Sequence, residues 1–144
     1  MSKGNTFENE LLLHIFNNSD IGNIGDATGL QGSTTPGVLW ISLHSSDPGE
    51  AGDQSTNEIA YTNYTRISVV RSGAGWTVSG NQAVNASAIT FPQCGATGEN
   101  STHFAVGTSE TGTGKLLYSG TAPLTIAENI TPEFGAGELV ITED

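Results

Sequence analysis

In the first eighteen residues apolar side chains recur at helical spacing. In NTFENELLLHIFNN (5–18), Phe7, Leu11, Leu12, Ile15 and Phe16 fall along one side of an α-helix. Asn5 and Glu8 have the form of a capping box at its start, and Asn17 and Asn18 mark its end. Residues 19–37, SDIGNIGDATGLQGSTTPG, hold five glycines and few large side chains, the composition of a linker or a long surface loop. The pattern therefore predicts an N-terminal helical arm with a glycine-rich linker over 1–37, set apart from a main body over 38–144. The five apolar residues need a cover, which the linker lets them find either on their own chain or on a neighbouring subunit.

From Val38 onward the texture changes to short apolar or alternating runs punctuated by Gly, Pro and Asn. Strands are expected near 38–44, 64–71, 75–79, 82–84, 88–91, 102–107, 115–119, 123–127 and 138–142. In TRISVVR, Ile67 and Val69 alternate with polar neighbours, as do Leu139 and Ile141 in GELVITE, so each of these strands has one wet face. VLWISLH is apolar at Val38, Leu39, Trp40, Ile41 and Leu43 and reads as a central strand buried on both faces. SGAGW, SGN and GTGK supply tight reversals, because glycine adopts positive φ at little steric cost. Many short strands behind one helix favour an all-β fold, a β-sandwich of jelly-roll or related type.

Charge narrows the range of partners. The chain has 144 residues, enough for one domain with its own core, and carries fifteen acids against four basic residues, a formal charge of −11. Such a surface repels phosphate backbones and anionic lipids, so neither direct nucleic-acid binding nor membrane binding is expected. MSKGNTFENE lacks a secretory pattern and no apolar run has membrane-spanning length, so synthesis in a host cytoplasm is the expectation. Cys94 is the single cysteine, so the fold does not rely on an internal disulfide.

The candidate chemistry is sparse. Asp47, Glu50, Asp53 and Glu58 follow His44 in a loop over 44–58, and carboxylates are calcium's preferred ligands. Their spacing is not that of an EF-hand, and SDPGEAG is explained by turn chemistry, so no metal is assigned. His14, His44 and His103 lack the close spacing of zinc ligands. GTSETGTGKLL ends in Gly-Lys, but Ser109 stands where a phosphate loop needs its first glycine, and Leu116 where it needs Ser or Thr. There is no G-x-S-x-G elbow either, so neither enzyme nor cofactor is expected. Arg66 and Arg71 point to opposite faces of an extended strand. Arg66 is placed to stack on Tyr61 or Tyr64, or to pair with an acid of the loop and clamp it shut.

The runs LHSSDPGEAGDQSTNEIAYTNYTR, GWTVSGNQAVNASAITFP, THFAVGT, TGTGKLLYSG and FGAGELVIT, spread over residues 38–142, resemble small virion proteins of tailed bacteriophages. Some such proteins are labelled tail-fibre proteins; others resemble capsid decoration, or cement, proteins. The resemblance implies Trp40, Trp76, Ile89, Phe91, Phe104, Leu117 and Leu139 as core, and Gly107, Gly112, Gly114 and Gly137 as turn or close-approach positions. As a decoration protein, the chain is expected on the capsid exterior, bound to the major capsid protein as a homo-oligomer, with a trimer favoured. Phe7, Leu11, Leu12, Ile15, Phe16 and Arg66 are then the expected interface. The alternative is a tail-associated, carbohydrate-binding protein that stacks sugars on Tyr61, Tyr64 and Trp76.

Overall fold

A computed structural model describes residues 1–144. The chain is all-β with one N-terminal helix, and its sheets are antiparallel and open. The helix α1 (Asn5–Asn17) is followed by β1 (Val38–His44), β2 (Ile67–Val70), β3 (Trp76–Ser79), β4 (Gln82–Asn85), β5 (Ile89–Thr90), β6 (Ser101–Gly107), β7 (Leu116–Leu124), β8 (Glu133–Phe134) and β9 (Val140–Thr142). Two compact units form. One is built from Met1–Val38, Val70–Ala88 and Gly135–Asp144, the other from Leu39–Val69 and Ile89–Phe134.

In the first unit β3, β4 and β9 make a three-stranded sheet, and α1 packs on β3 and β4. Leu12 and Phe16 are fully buried there, and the Phe16 ring lies 4.7 Å from that of Trp76, which is also fully buried. The expected capping box does not form. Gly4 is the N-cap, and it has no side chain with which to bond the first turn. The C-terminus of α1 closes as the asparagines suggested, with Asn18 left-handed at φ 57° and the Ser19 N–H bonded to the Leu13 carbonyl. Arg71 completes that end: Nε donates to the Ile15 carbonyl at 2.6 Å and Nη2 to that of His14 at 2.7 Å. A cation thus meets the negative end of the helix dipole. Residues 19–37 are not a featureless linker, because Ile21 is buried and exchanges both backbone hydrogen bonds with Leu30.

In the second unit the sheet order is β2-β1-β6-β7, faced by the short β5-β8 ladder. Phe104 on β6 meets Phe134 on β8 with ring centroids 6.2 Å apart, Phe134 meets Phe91 at 6.2 Å, and Phe91 stacks on Tyr64 at 6.3 Å. That run of rings fills the space between the two layers and makes this unit a sandwich. Leu39, Ile41, Ser42, Leu43 and His44 of β1 are all buried, as expected for a strand covered on both faces.

Three elements differ from expectation. The strands expected at 115–119 and 123–127 are the single strand β7. It lies at the sheet edge, where a proline such as Pro123 is tolerated, and Gly120 leaves room for the Phe104 ring. A Cβ on Gly120 would stand 2.7 Å from that ring. Ser72 accepts the N–H groups of Gly75 and Trp76, so SGAGW does turn, but β2 and β3 belong to different sheets and form no hairpin. The genuine hairpin joins β3 to β4 through Gly80 at φ 57° and Asn81. Of the residues expected in the core, Trp40 and Leu117 are only half-buried.

Candidate functional site

A dense polar cluster lies in the second unit and centres on Arg66. Its guanidinium makes a bidentate pair with Glu58, Nε to Oε1 and Nη2 to Oε2, both at 2.7 Å. Nη1 donates to the Ser109 carbonyl at 2.8 Å and Nη2 to that of Gly112 at 2.7 Å. Arg66 is thus the predicted clamp. It holds the acidic loop at Glu58 and, through two carbonyls, the loop between β6 and β7. The hydrogen bonds it donates to the Glu58 carboxylate hold its pKa above the ordinary arginine value. Tyr64 extends the network, donating to Glu58 at 2.9 Å while its oxygen accepts the Leu43 N–H at 3.0 Å. Burial, with the Glu58 charge beside it, pushes the Tyr64 phenol far up.

A second set of bonds fixes the same two loops. Gln54 is fully buried; its Nε2 donates to the Trp40 carbonyl at 3.1 Å and its Oε1 accepts the Ser109 N–H at 3.0 Å. Gly107 and Gly114 are required here, because a Cβ on either would stand 2.0 or 2.1 Å from the Gln54 amide. His44, also fully buried, donates from Nδ1 to the Thr56 carbonyl at 2.8 Å, and its Nε2 accepts from Ser42 at 2.9 Å. Burial lowers its pKa, consistent with a neutral ring wedged under the loop.

The four loop acids do not converge. The Asp47 carboxylate accepts the Gly49 N–H at 2.9 Å, and Asp53 accepts the N–H and hydroxyl of Ser55 at 2.7 and 2.6 Å, both closing local turns. Glu58 is engaged by Arg66. No three His, Cys, Asp or Glu side chains are arranged to hold a metal.

Two of the three rings expected to stack on sugars are not available. Trp76 is in the core of the first unit, and Tyr61 is 2% exposed, donating to the Pro92 carbonyl at 2.7 Å. Of the helix residues expected at an interface, Leu12 and Phe16 are committed to their own sheet. Leu11 and Ile15 are half-buried, and Phe7 alone is open, at 38%.

Beside the clamp lies a cleft of about 400 Å³, lined on one wall by Ser55, Glu58, Thr65 and Arg66 and on the other by Glu110, Thr111 and Gly112. Ile59, Ala60 and Tyr64 complete it, and Tyr64 is the one expected stacking ring that reaches a concave surface. Sequence reasoning singled out Arg66 and Tyr64 by type and proximity, and Glu58 only as one of four loop acids. It missed Gln54, Glu110 and Thr111, whose roles depend on the pairing of β6 with β7.

The fold is an open, antiparallel all-β arrangement in which the Arg66 network closes the chain's own loops. The chain belongs to the family described as podophage GP4 fiber I protein gp80, whose family model matches residues 2–142. It is a phage virion protein. No curated protein and no solved structure matches it.

Proposed function

We propose that the chain is a structural component of a podophage fibre and acts by contact rather than catalysis. The observation that carries this is the family match, which runs through both units and includes the N-terminal helix. The Arg66 network supports it. Its charged groups hold loops to a rigid sandwich, a demand placed on any part that bears load or presents a surface.

The decoration reading places the chain on the capsid exterior, bound to the major capsid protein as a trimer and anchored by the helix. Its apolar anchor shrinks to Phe7 with the flanks of Leu11 and Ile15, because Leu12 is fully buried and Phe16 already packs on Trp76. Cryo-electron microscopy of intact virions, compared with particles lacking the protein, separates the two readings. Lost density in the fibres is the expected result. Lost density at joints between capsid subunits would overturn the fibre assignment and favour decoration.

A further inference from the structure

We infer that the open edge of β7 is a docking site for an extended peptide segment that carries a basic side chain. The inference rests on that strand and the acidic loop beside it, wherever in the virion the chain stands. β7 is nine residues long and ends the four-stranded sheet, whereas β2, at the opposite edge, has four. A long edge strand presents a row of unpaired main-chain groups, the template for strand addition.

The hydrogen-bond phase of the sheet fixes which groups are presented. On β1, the Leu43 carbonyl accepts the Ile59 N–H at 3.0 Å and the Leu43 N–H donates to the Tyr64 hydroxyl at 3.0 Å, so both point away from β6. In an antiparallel ladder, bonded and non-bonded pairs alternate. Phe104, opposite Leu43, therefore directs its own N–H and C=O at Gly120 of β7, and Val106 directs its pair at Tyr118. Ser119 and Thr121 fall in the other phase. Their N–H and C=O groups leave the sheet on its open side, where no other segment of the main chain bonds them, and both residues are exposed. Pro123, two residues on, has no N–H to offer and ends the open stretch.

The surroundings select the occupant. Leu116, Leu117, Tyr118 and Ser119 line a groove of about 480 Å³ together with Asp47 and Glu50 of the acidic loop. One Asp47 oxygen accepts the Gly49 N–H; the other, and the whole Glu50 carboxylate, have no partner in the chain. Half-buried Leu116 and Leu117 add apolar contact. A strand laid along this edge bonds its main chain to Ser119 and Thr121, while a lysine or arginine on it meets Asp47 and Glu50. The net charge of −11 draws such a segment in from a distance. A second copy of the chain fits less well, because it brings the same net charge and its β7 is led by a single cation, Lys115.

Titration of the full chain with blocked hexapeptides, read by two-dimensional NMR, tests this. The first peptide alternates threonine and valine around one central lysine, and the second has glutamate in place of the lysine. The third is the lysine peptide N-methylated at two adjacent central residues, which blocks both of its edges. The expected result is a saturable shift with the lysine peptide, confined to residues 47–50 and 116–121, with binding at least about tenfold weaker for the other two, the effect of losing a charge-assisted or main-chain hydrogen bond. Asp47→Asn combined with Glu50→Gln should remove the preference for lysine over glutamate. Ser119→Pro, which deletes an outward N–H and leaves the bonds to β6, should weaken the lysine peptide by a similar factor. No saturable response to the lysine peptide, shifts that map elsewhere, equal binding of the glutamate or N-methylated peptide, or self-association of the chain through residues 116–121 would each overturn the proposal.

Discussion

At the residue scale, the two central arginines do the same work in separate places. Arg66 gathers a carboxylate and two loop carbonyls in the second unit; Arg71 gathers the last carbonyls of α1 in the first. Replacing Arg66 by Ala strands Glu58 beside the Tyr64 phenol, and losing one partner of a buried pair costs about 3 kcal/mol or more. Urea unfolding of Arg66→Ala should show that loss, with little recovered by Arg66→Lys, since an ammonium cannot span both carboxylate oxygens and both carbonyls. The pH dependence follows from two neighbours. His44 is held below its ordinary 6.5, so in the acid range the unfolded chain binds the extra proton. Its contribution is therefore complete above 6.5 and declines as pH falls below it. Burial pushes Tyr61 up to about 12 from 10, so the unfolded chain loses that proton first and stability declines as pH rises above 10. Urea midpoints across this range should form a plateau between the two limbs, and His44→Gln should flatten the acid one. Of these roles, a pairing of Arg66 with some acid of the loop was one of the two readings the sequence offered, but that the acid is Glu58 emerges only from the fold. The Arg71 role was not legible, because backbone carbonyls have no signature in sequence.

At the element scale, strands whose pattern is local were readable and their partners were not. The run 38–44 was read at its true limits, since five apolar residues in seven need cover on both faces. β7 was split in two at 120–122, where Gly120 reads as a breaker, and nothing local reveals that this strand lies at an edge. The turn at 72–75 was seen, but turn chemistry fixes a reversal without saying which sheet the chain enters next. The helix shows the same limit: its apolar side announced a partner, and the partner, Trp76, was hidden sixty residues away. Deleting residues 1–18 should therefore uncover Trp76 and disrupt the β3-β4-β9 sheet instead of releasing an arm from an intact body. The measurements are tryptophan fluorescence, which should shift to the red, and proteolysis of the first unit. Phe16→Ala alone should cost about 3–5 kcal/mol, the usual loss for an aromatic ring removed from a core.

At the scale of the whole molecule, net charge and fold pull in opposite directions. Ion pairs Lys3–Glu143 at 2.9 Å and Arg66–Glu58 at 2.7 Å engage two of the fifteen acids, while Asp26, Glu50, Glu110, Glu128, Glu133 and Glu138 lie exposed on the same chain. Folding brings those charges closer together, so self-repulsion destabilises the compact state and is felt most where salt does not screen it. The charge balance was plain in the sequence; that the strongest ion pair is buried was not, and the difference decides how salt acts. Raising ionic strength from about 0.01 to 0.15 M shortens the screening length from about 30 to 8 Å, enough to separate exposed acids electrically while leaving a buried contact nearly untouched. Thermal unfolding should accordingly move to higher Tm with added sodium chloride, by at least about 2 °C for each kcal/mol of repulsion relieved. The gap in stability between the native chain and Arg66→Ala should stay constant across the same series. A Tm that falls with salt would mean that exposed ion pairs, rather than the buried clamp, dominate the electrostatics of this fold.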